Sequence, residues 1–302
     1  MKEVTVSAVV VTYNKKDLLK KCLEKLQSQT FQLNHIIVVD NNSSDGTTEL
    51  LGNLAKNNSC ILDVSLDSNV GGAGGFNIGL KKFISVGDDY VVILDDDSLL
   101  DDDCIERFVD VVQQHTKFGF LCSNVRWKDG TACLMNVPKV SEGKWSDYLD
   151  DGLIKVDTCS FVSVFISRDV VQKVGYPITK FFIWGDDLEY TGRINREFKK
   201  LDNYLVAKSH VLHYMNNNIN VDIISDSDDR LSRYYYRYRN LHYVNRKYGV
   251  KSEVKYITRS IFTIFKILRS SSHHKLKRCG ILLKGIIRGI WFNPEVEQDN
   301  MI

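Results

Sequence analysis

The strongest constraint on this chain is an alternation in its first half, where short β-branched runs are each followed by a stretch with helical spacing. Val4–Val11 precedes a helical pattern over about Asp17–Ser28, and His35–Val39 precedes a helix opened near Asp45, with Glu49 in its first turn. Ile61–Leu66 leads through a glycine cluster into a helix reaching about Val86. Tyr90–Leu94 ends in three aspartates, and a helix over Ile105–His115 leads to the strand Phe118–Val125. Such alternation predicts βαβ units, an α/β fold with a mostly parallel sheet and helices on both faces. A chain of 302 residues that is 43% hydrophobic can bury that core. With only 3 Pro beside 19 Gly, it is neither collagenous nor disordered.

In open α/β sheets ligands gather at the carboxyl ends of the strands, and the unusual residues lie there. The first strand ends in Thr12-Tyr13-Asn14 and the second in Asp40-Asn41-Asn42. The third ends in Asp67-Ser68-Asn69 before Gly71, Gly72, Gly74 and Gly75, and the fourth in Asp95-Asp96-Asp97. One such end is an ordinary solvated turn; four converging ends point to a site.

Asp95 and Asp97 lie on one side of an extended segment and can share a hard divalent cation, with phosphate oxygens completing its shell. The competing reading is an acidic loop capping the next helix. Three adjacent carboxylates repel one another, which favours the cation. The glycines fit neither a dinucleotide fingerprint, since the last required glycine falls on Asn77, nor a Walker loop, since no Gly-Lys-Ser/Thr follows. They let backbone approach a ligand, or they pack helix on sheet.

Further on, Trp127–Val156 is irregular and reads as a loop over the site, whereas Val162–Ile166 and Leu205–His213 read as strands. Asn216–Asp229 reads as a linker. Asp186 and Asp187 follow Trp184-Gly185; adjacent carboxylates raise each other's proton affinity, as a general base requires, while a helix N-terminus accounts for acids there equally well. Trp184 offers a face for a sugar ring, or packs in a core.

Thr12-Tyr13-Asn14, the run Val39-Asp40-Asn41-Asn42-Ser43-Ser44-Asp45-Gly46-Thr47, the aspartate triplet and Trp184-Gly185-Asp186-Asp187-Leu188-Glu189-Tyr190 together resemble the family 2 inverting glycosyltransferases of GT-A fold. The stretch Asn69-Val70-Gly71-Gly72-Ala73-Gly74-Gly75-Phe76-Asn77-Ile78-Gly79 resembles the bacterial galactofuranosyltransferases within that family. The likeness covers roughly residues 4–215 and, more weakly, Tyr234–Asn240. It implies a GT-A catalytic domain over 1–215, Rossmann-like and nucleotide-sugar-binding, before a helical, basic region over 216–302.

Carried onto this chain, the resemblance implies that Thr12, Tyr13 and Asn14 line the nucleotide pocket and that Asp40 accepts a hydrogen bond from the base. Asn69, Gly71, Gly72 and Asp96 would flank the donor. Asp95, Asp97 and His213 would hold Mn²⁺ or Mg²⁺, with His210 the competing histidine. Asp187 would be the base, with Asp186 the alternative, and Trp184 would meet the acceptor. The implied reaction is inverting transfer, from UDP-galactofuranose, to a lipid-linked or cell-surface glycan. The basic residue that the family often carries near Ile78 is missing, which makes dTDP-rhamnose the rival donor. Two other classes compete: a phosphohydrolase with Asp95 as nucleophile, and a non-catalytic nucleotide or glycan-binding module.

The formal net charge of +2 hides an asymmetry, for residues 251–290 carry a net +9 while the first 250 carry −4. An acidic body argues against a nucleic-acid partner. Ile257, Ile261, Ile264, Phe265 and Leu268, then Leu283, Ile286, Ile287, Ile290 and Trp291, keep three-and-four spacing among those cations. Basic amphipathic helices of this kind suit an anionic membrane surface, with packing in a homo-oligomer the alternative. Arg233, Tyr234, Arg237 and Tyr238 share a face in the helix before them, either closing over phosphates or packing on the catalytic domain. The 7 cysteines lack metal or disulfide spacing and read as reduced thiols. Met1–Tyr13 reads as a strand rather than a signal peptide, and no apolar run is long enough to span a bilayer. The expected place of action is the cytoplasm, peripheral to the inner face of the cytoplasmic membrane.

Overall fold

The computed structural model describes residues 4–114 and 117–299, so His115, the expected end of a helix, lies outside the described residues. In chain order the elements are β1 (Val6–Thr12), α1 (Lys16–Gln27), β2 (His35–Asp40), α2 (Thr47–Asn57), β3 (Ile61–Ser65), α3 (Gly71–Val86), β4 (Tyr90–Asp95), β5 (Ser98–Leu100), α4 (Cys104–Gln114) and β6 (Phe118–Arg126). There follow β7 (Lys139–Val140), β8 (Leu153–Thr158), β9 (Val164–Ser167), α5 (Arg168–Val174), α6 (Asp186–Glu197), β10 (Asp202–His213), α7 (Leu231–Lys247), α8 (Val250–Arg269) and α9 (Lys275–Trp291).

The ten strands form one sheet in the order β3-β2-β1-β4-β9-β6-β10-β8-β7, with β5 paired to β10. β3, β2, β1 and β4 run parallel, β9 is antiparallel to both β4 and β6, and β6 and β10 are parallel again. Alternation along β1 explains the two-sided core. Ala8 and Val10 join Leu19, Leu23 and Phe108 on one face, while Val9 and Val11 join Phe76, Leu80 and Tyr190 on the other. The expected α/β sheet covered on both faces is therefore present.

The glycine cluster lies inside α3 rather than ahead of it. A Cβ at Gly75 would overlap Val11, and one at Gly79 would overlap Val9. Close seating of the helix on β1 thus offsets the roughly 1 kcal/mol that a helical glycine costs relative to alanine. The irregular stretch before Val156 holds the short strand β7, paired with β8 at the sheet's far edge. Both β7 residues are exposed, so no apolar period marked it.

Residues 216–229 are not a free linker. Ile223 is buried, and the Arg278 guanidinium donates to the carbonyl oxygens of Ile223 and Asp226. The Tyr234 hydroxyl donates to the Asp226 carboxylate at 2.8 Å. The Arg278 anchor comes from α9, about fifty residues on in the chain, and leaves no local signature.

Helices α7, α8 and α9 share a small core of Leu231, Tyr234, Ile267, Leu282 and Ile286. Gly285 and Gly289 bring α9 against α7, where a Cβ would overlap Tyr238 and His242. Phe181, Tyr243 and Phe292 join this bundle to the sheet domain. After α9 the chain returns to the sheet domain, where Glu297 pairs with Lys81 and accepts from Asn77. No helix among the described residues is long and apolar enough to cross a membrane. The cysteines are free thiols, six of them buried.

Candidate active site

Parallel strands β1, β2 and β4 deliver their carboxyl ends side by side, with Thr12 opposite Asp40 and Val11 opposite Asp95. Thr12 donates through Oγ1 to Asp96 at 2.8 Å, tying the first strand end to the acid cluster. Asn14 has φ 54°, in the left-handed region that Asn tolerates better than most residues. Its amide oxygen accepts from the Ser44 N–H at 2.7 Å, and its own N–H donates to Ser43 Oγ, clamping two strand-end loops together. Asp40 is buried and accepts from the Ser43 N–H and the Thr48 hydroxyl. Tyr13 is exposed beside it.

Asn69 opens α3 by accepting from the Gly71 N–H at 2.8 Å, and Asn41 holds the same turn through Val70 and Gly71. Gly71 has φ 76°, and a Cβ there would overlap the Phe182 carbonyl oxygen. A Cβ at Gly72 would meet nothing within 4 Å, so packing does not require the glycine there.

The acid cluster at the end of β4 carries its own cation. Lys15 Nζ stands 2.5 Å from Asp97 and 3.2 Å from Asp96. Burial opposes its charge, yet the two carboxylates hold the Lys15 ammonium well above its ordinary range. His213, at the end of β10, places Nε2 3.2 Å from Asp97 Oδ1. Its Nδ1 lies 2.7 Å from Asn136 Oδ1, an acceptor, so Nδ1 carries the hydrogen. Asn136 is fixed in turn by donating to Ser160 Oγ at 2.8 Å. His210 instead faces outward toward Asp101 at 3.7 Å.

Burial is the largest influence on Asp95, and with the charge of Asp97 it pushes that carboxyl up to about 7. Burial acts the same way on Asp97, but His213 and Lys15 overcome it and hold Asp97 well below the usual carboxylate range. Burial alone would lower His213; hydrogen bonds to Asp97 and Cys133 and the charges of Asp97 and Asp95 raise it to about 10.

The donor set fits Mn²⁺ or Mg²⁺ on one particular observation. Asp97 Oδ1 is buried and has His213 Nε2 at 3.2 Å beside it but no well-aligned hydrogen bond, so a cation bound between the two would satisfy it. Carboxylate oxygens with one imidazole suit those ions, and a histidine oriented through its second nitrogen is the usual support for a ligand. Among the described residues, however, no three His, Cys, Asp or Glu side chains are gathered into a ready-made cage. The Lys15 ammonium stands among the carboxylates instead.

A strained loop sets the second acid pair. Phe182 has φ 66° and ψ −63°, and the Ile183 N–H donates back to the Phe181 carbonyl at 2.8 Å, a γ-turn of the rarer positive-φ form. Trp184 has φ 63° and Gly185 φ 89°. One side chain holds the loop: Asn240 of α7, fully buried, donates through Nδ2 to the carbonyls of Phe181, Ile183 and Trp184 at 2.8–3.1 Å. Arg239 adds bonds to the carbonyls of Lys180 and Phe181.

Helix α6 then begins at Asp186 and Asp187. Burial raises the Asp186 carboxyl well above its ordinary range, and the charges of Asp187 and Asp95 add to the effect, so the two acid groups lie near enough to feel one another's charge. Asp187 is half-buried; burial lifts it to about 6, against the Leu188 N–H and the nearby Arg237 charge. Trp184 packs edge-on against Tyr234 at 5.0 Å and lies under Arg230 at 5.6 Å. A separate cleft of about 510 Å³ lies at the opposite end of β10, where Lys139–Asp157 and Lys155–Asp202 neutralise one another.

Lys15, Asn136 and Asn240 escaped the sequence reading. Lys15 directly follows the Thr12-Tyr13-Asn14 motif and Asn240 closes the weaker likeness, so each had a signal. Asn136 had none, lying in the irregular segment.

A mostly parallel α/β sheet with an acid cluster at the β4 end and a second acid pair at the start of α6 is the architecture of GT-A glycosyltransferases. The model of glycosyl transferase family 2 matches residues 7–175, and the chain belongs to that family. It is 26% identical over 179 residues to poly-beta-1,6-N-acetyl-D-glucosamine synthase of Staphylococcus aureus (strain MSSA476), covering 57% of this chain and 41% of the relative. It is 27% identical over 210 residues to galactofuranosyltransferase GlfT1 of Mycolicibacterium smegmatis, covering 63% of this chain and 65% of the relative. Thus the chain spans less than two thirds of the length of either. Among solved structures, S. aureus TarS 1-349 in complex with UDP superposes on 96% of this chain and 73% of that one, with a TM-score of 0.56 and 15% identity. GalNAc-T7 with UDP, GalNAc and Mn²⁺ superposes on 81% of this chain and 48% of that one, with a TM-score of 0.63 and 14% identity. These likenesses show the fold.

Proposed function

We propose that this protein transfers a sugar, with inversion, from a nucleoside-diphosphate donor to an acceptor hydroxyl. The donor in this reading is UDP-galactofuranose, and the acceptor is a lipid-linked or cell-surface glycan met at the inner face of the cytoplasmic membrane. The observation that carries the reading is the nearness of two acid groups, Asp95-Asp96-Asp97 with His213 and Asp186-Asp187 on α6. The galactofuranosyltransferase relative and the glycine-rich start of α3 support the sugar. The UDP-bound neighbours support the nucleotide.

In this mechanism Thr12, Tyr13, Asn14 and Asp40 position the nucleotide, while Asn69, Gly71, Gly72 and Asp96 flank the diphosphate. Asp95, Asp97 and His213 would hold Mn²⁺ or Mg²⁺, which would supply positive charge against the leaving diphosphate. The Lys15 ammonium, already seated among these carboxylates, gives way or turns to the phosphate when the donor enters. Asp187 takes the proton from the acceptor hydroxyl as that oxygen attacks the anomeric carbon from the face opposite the diphosphate. Trp184 borders the acceptor.

The test is a nucleotide-sugar screen by thermal stabilisation, with and without Mn²⁺, followed by transfer to a synthetic galactosyl acceptor. UDP-galactofuranose with Mn²⁺ should raise the melting temperature more than dTDP-rhamnose does. Stabilisation by dTDP-rhamnose alone would replace the donor assignment, and no stabilisation by any nucleotide-sugar would overturn the function.

A further inference from the structure

Helices α8 and α9 expose an amount of apolar surface that nothing among the described residues covers. Val250 is 75% exposed, Phe262 64%, Leu276 82% and Trp291 73%. At about 100° per residue, Val250, Val254, Ile261, Phe265 and Leu268 fall within about 60° of one another around α8. On α9, Leu276, Leu283, Ile287, Ile290 and Trp291 fall within about 100° by the same geometry. Each strip adjoins the face packed into the bundle, Ser260 and Ile267 on α8 and Leu282, Gly285 and Ile286 on α9. The strips are thus a second apolar face on helices that already have one buried.

Beyond each strip lies a row of cations. On α8 these are Lys251, Lys255, Arg259, Lys266 and Arg269, and on α9 Lys277, Lys284 and Arg288, each within about 120° of the near edge of its strip by the same geometry and all exposed. None pairs with a carboxylate among the described residues. Glu253, the acid of these two helices, is engaged by His242 Nε2 at 3.0 Å.

We infer that the outer face of α8 and α9 docks on an anionic lipid bilayer, with the apolar strips in the headgroup boundary and the cations on the lipid phosphates. Charge decides between this and self-association. A two-fold contact between copies would bring two like-charged surfaces together, whereas an anionic bilayer neutralises them. An apolar face rimmed by Lys and Arg, with Trp291 and Phe262 at its surface, is the pattern of a helix lying in an interface. Helix α7 backs α9 through Gly285 and Gly289 and carries Arg237 toward Asp187, which places the docking face one helix away from the acid pair. The purpose of such docking rests on the lipid-linked acceptor proposed above; the surface itself does not.

The test uses the full chain and vesicles of phosphatidylglycerol with phosphatidylcholine, against phosphatidylcholine alone, read by co-sedimentation without donor or acceptor. The protein should bind the anionic vesicles, and 0.5 M salt should weaken binding. Phe262→Ser with Phe265→Ser should lower vesicle affinity at least tenfold while leaving the melting temperature unchanged. Lys266→Glu with Arg269→Glu should lower it likewise. Equal binding to neutral and anionic vesicles, or none to either, would overturn the inference. So would a wild-type dimer in sedimentation velocity that the Phe262→Ser, Phe265→Ser chain fails to form. Vesicle binding without transfer to a lipid-linked acceptor would instead defeat the acceptor reading and leave the docking face standing.

Discussion

Asp186 and Asp187 are neighbours in the chain and opposites in environment. Asp186 is buried and pushed well above the ordinary range by burial and the charges of Asp187 and Asp95. Asp187, lifted by burial only to about 6, is ionised at neutral pH and still basic enough to take a proton. Asp187→Asn should therefore lower transfer by about 10² or more while donor affinity, measured by calorimetry, stays within a few-fold. A base must be ionised to work, so transfer should fall roughly tenfold per pH unit below about 6, as read from the rate at saturating donor. Linkage gives the sign for stability. A carboxyl raised from 3.8 to about 6 loses stability for the fold as pH climbs between those values. Asp187→Asn should then be no less stable than the parent above pH 6 in thermal unfolding.

At the level of elements, α7 sets the loop that presents these acids. The Asn240 amide nitrogen has two hydrogens and three carbonyl acceptors, so at least one hydrogen is shared. Asn240→Ala takes this donor from the Ile183 and Trp184 carbonyls at a cost of about 1–3 kcal/mol, while the Phe181 carbonyl keeps the Ile183 N–H and Arg239, and it frees a backbone held at positive φ. Transfer should drop at least tenfold, with faster hydrogen exchange confined to residues 181–186 and the sheet unchanged; exchange rising evenly across the domain would instead mean a general loss of fold. This clamp also marks where sequence reading stopped. Strands β1 to β4 and their polar ends were legible because apolar alternation and motif lie within a few residues of one another. The backing of His213 by Asn136, the clamp by Asn240 and the anchoring of residues 216–229 by Arg278 join positions far apart in the chain. No local period records such contacts. The glycine cluster fell between: Gly75 and Gly79 pack on β1, as one reading had it, while a Cβ at Gly72 would meet nothing.

For the molecule as a whole, the C-terminal bundle is part of the fold around the site. Ending the chain at Gly249 would take Ile267, Leu282 and Ile286 away from Leu231 and Tyr234. Each such side chain contributes about 1.5–3 kcal/mol, and each kcal/mol moves the melting point by about 2–4 °C in a protein near this size. The truncated chain should melt about 10 °C or more below the parent in calorimetry, so surface substitutions, not deletion, separate membrane docking from folding.

The contact between Gly71 and Phe182 is a joint without clearance. One hydrogen occupies the place where any other residue would put a methyl group, so the turn that opens α3 and the loop before Asp186 move as a single part. On the proposed function, a donor seated against that turn would press on Phe182 before an acceptor arrives, and Asp187 would take its working position only on the loaded protein. Kinetically this means a compulsory order, donor first and acceptor second, visible as UDP inhibiting competitively against the donor and non-competitively against the acceptor.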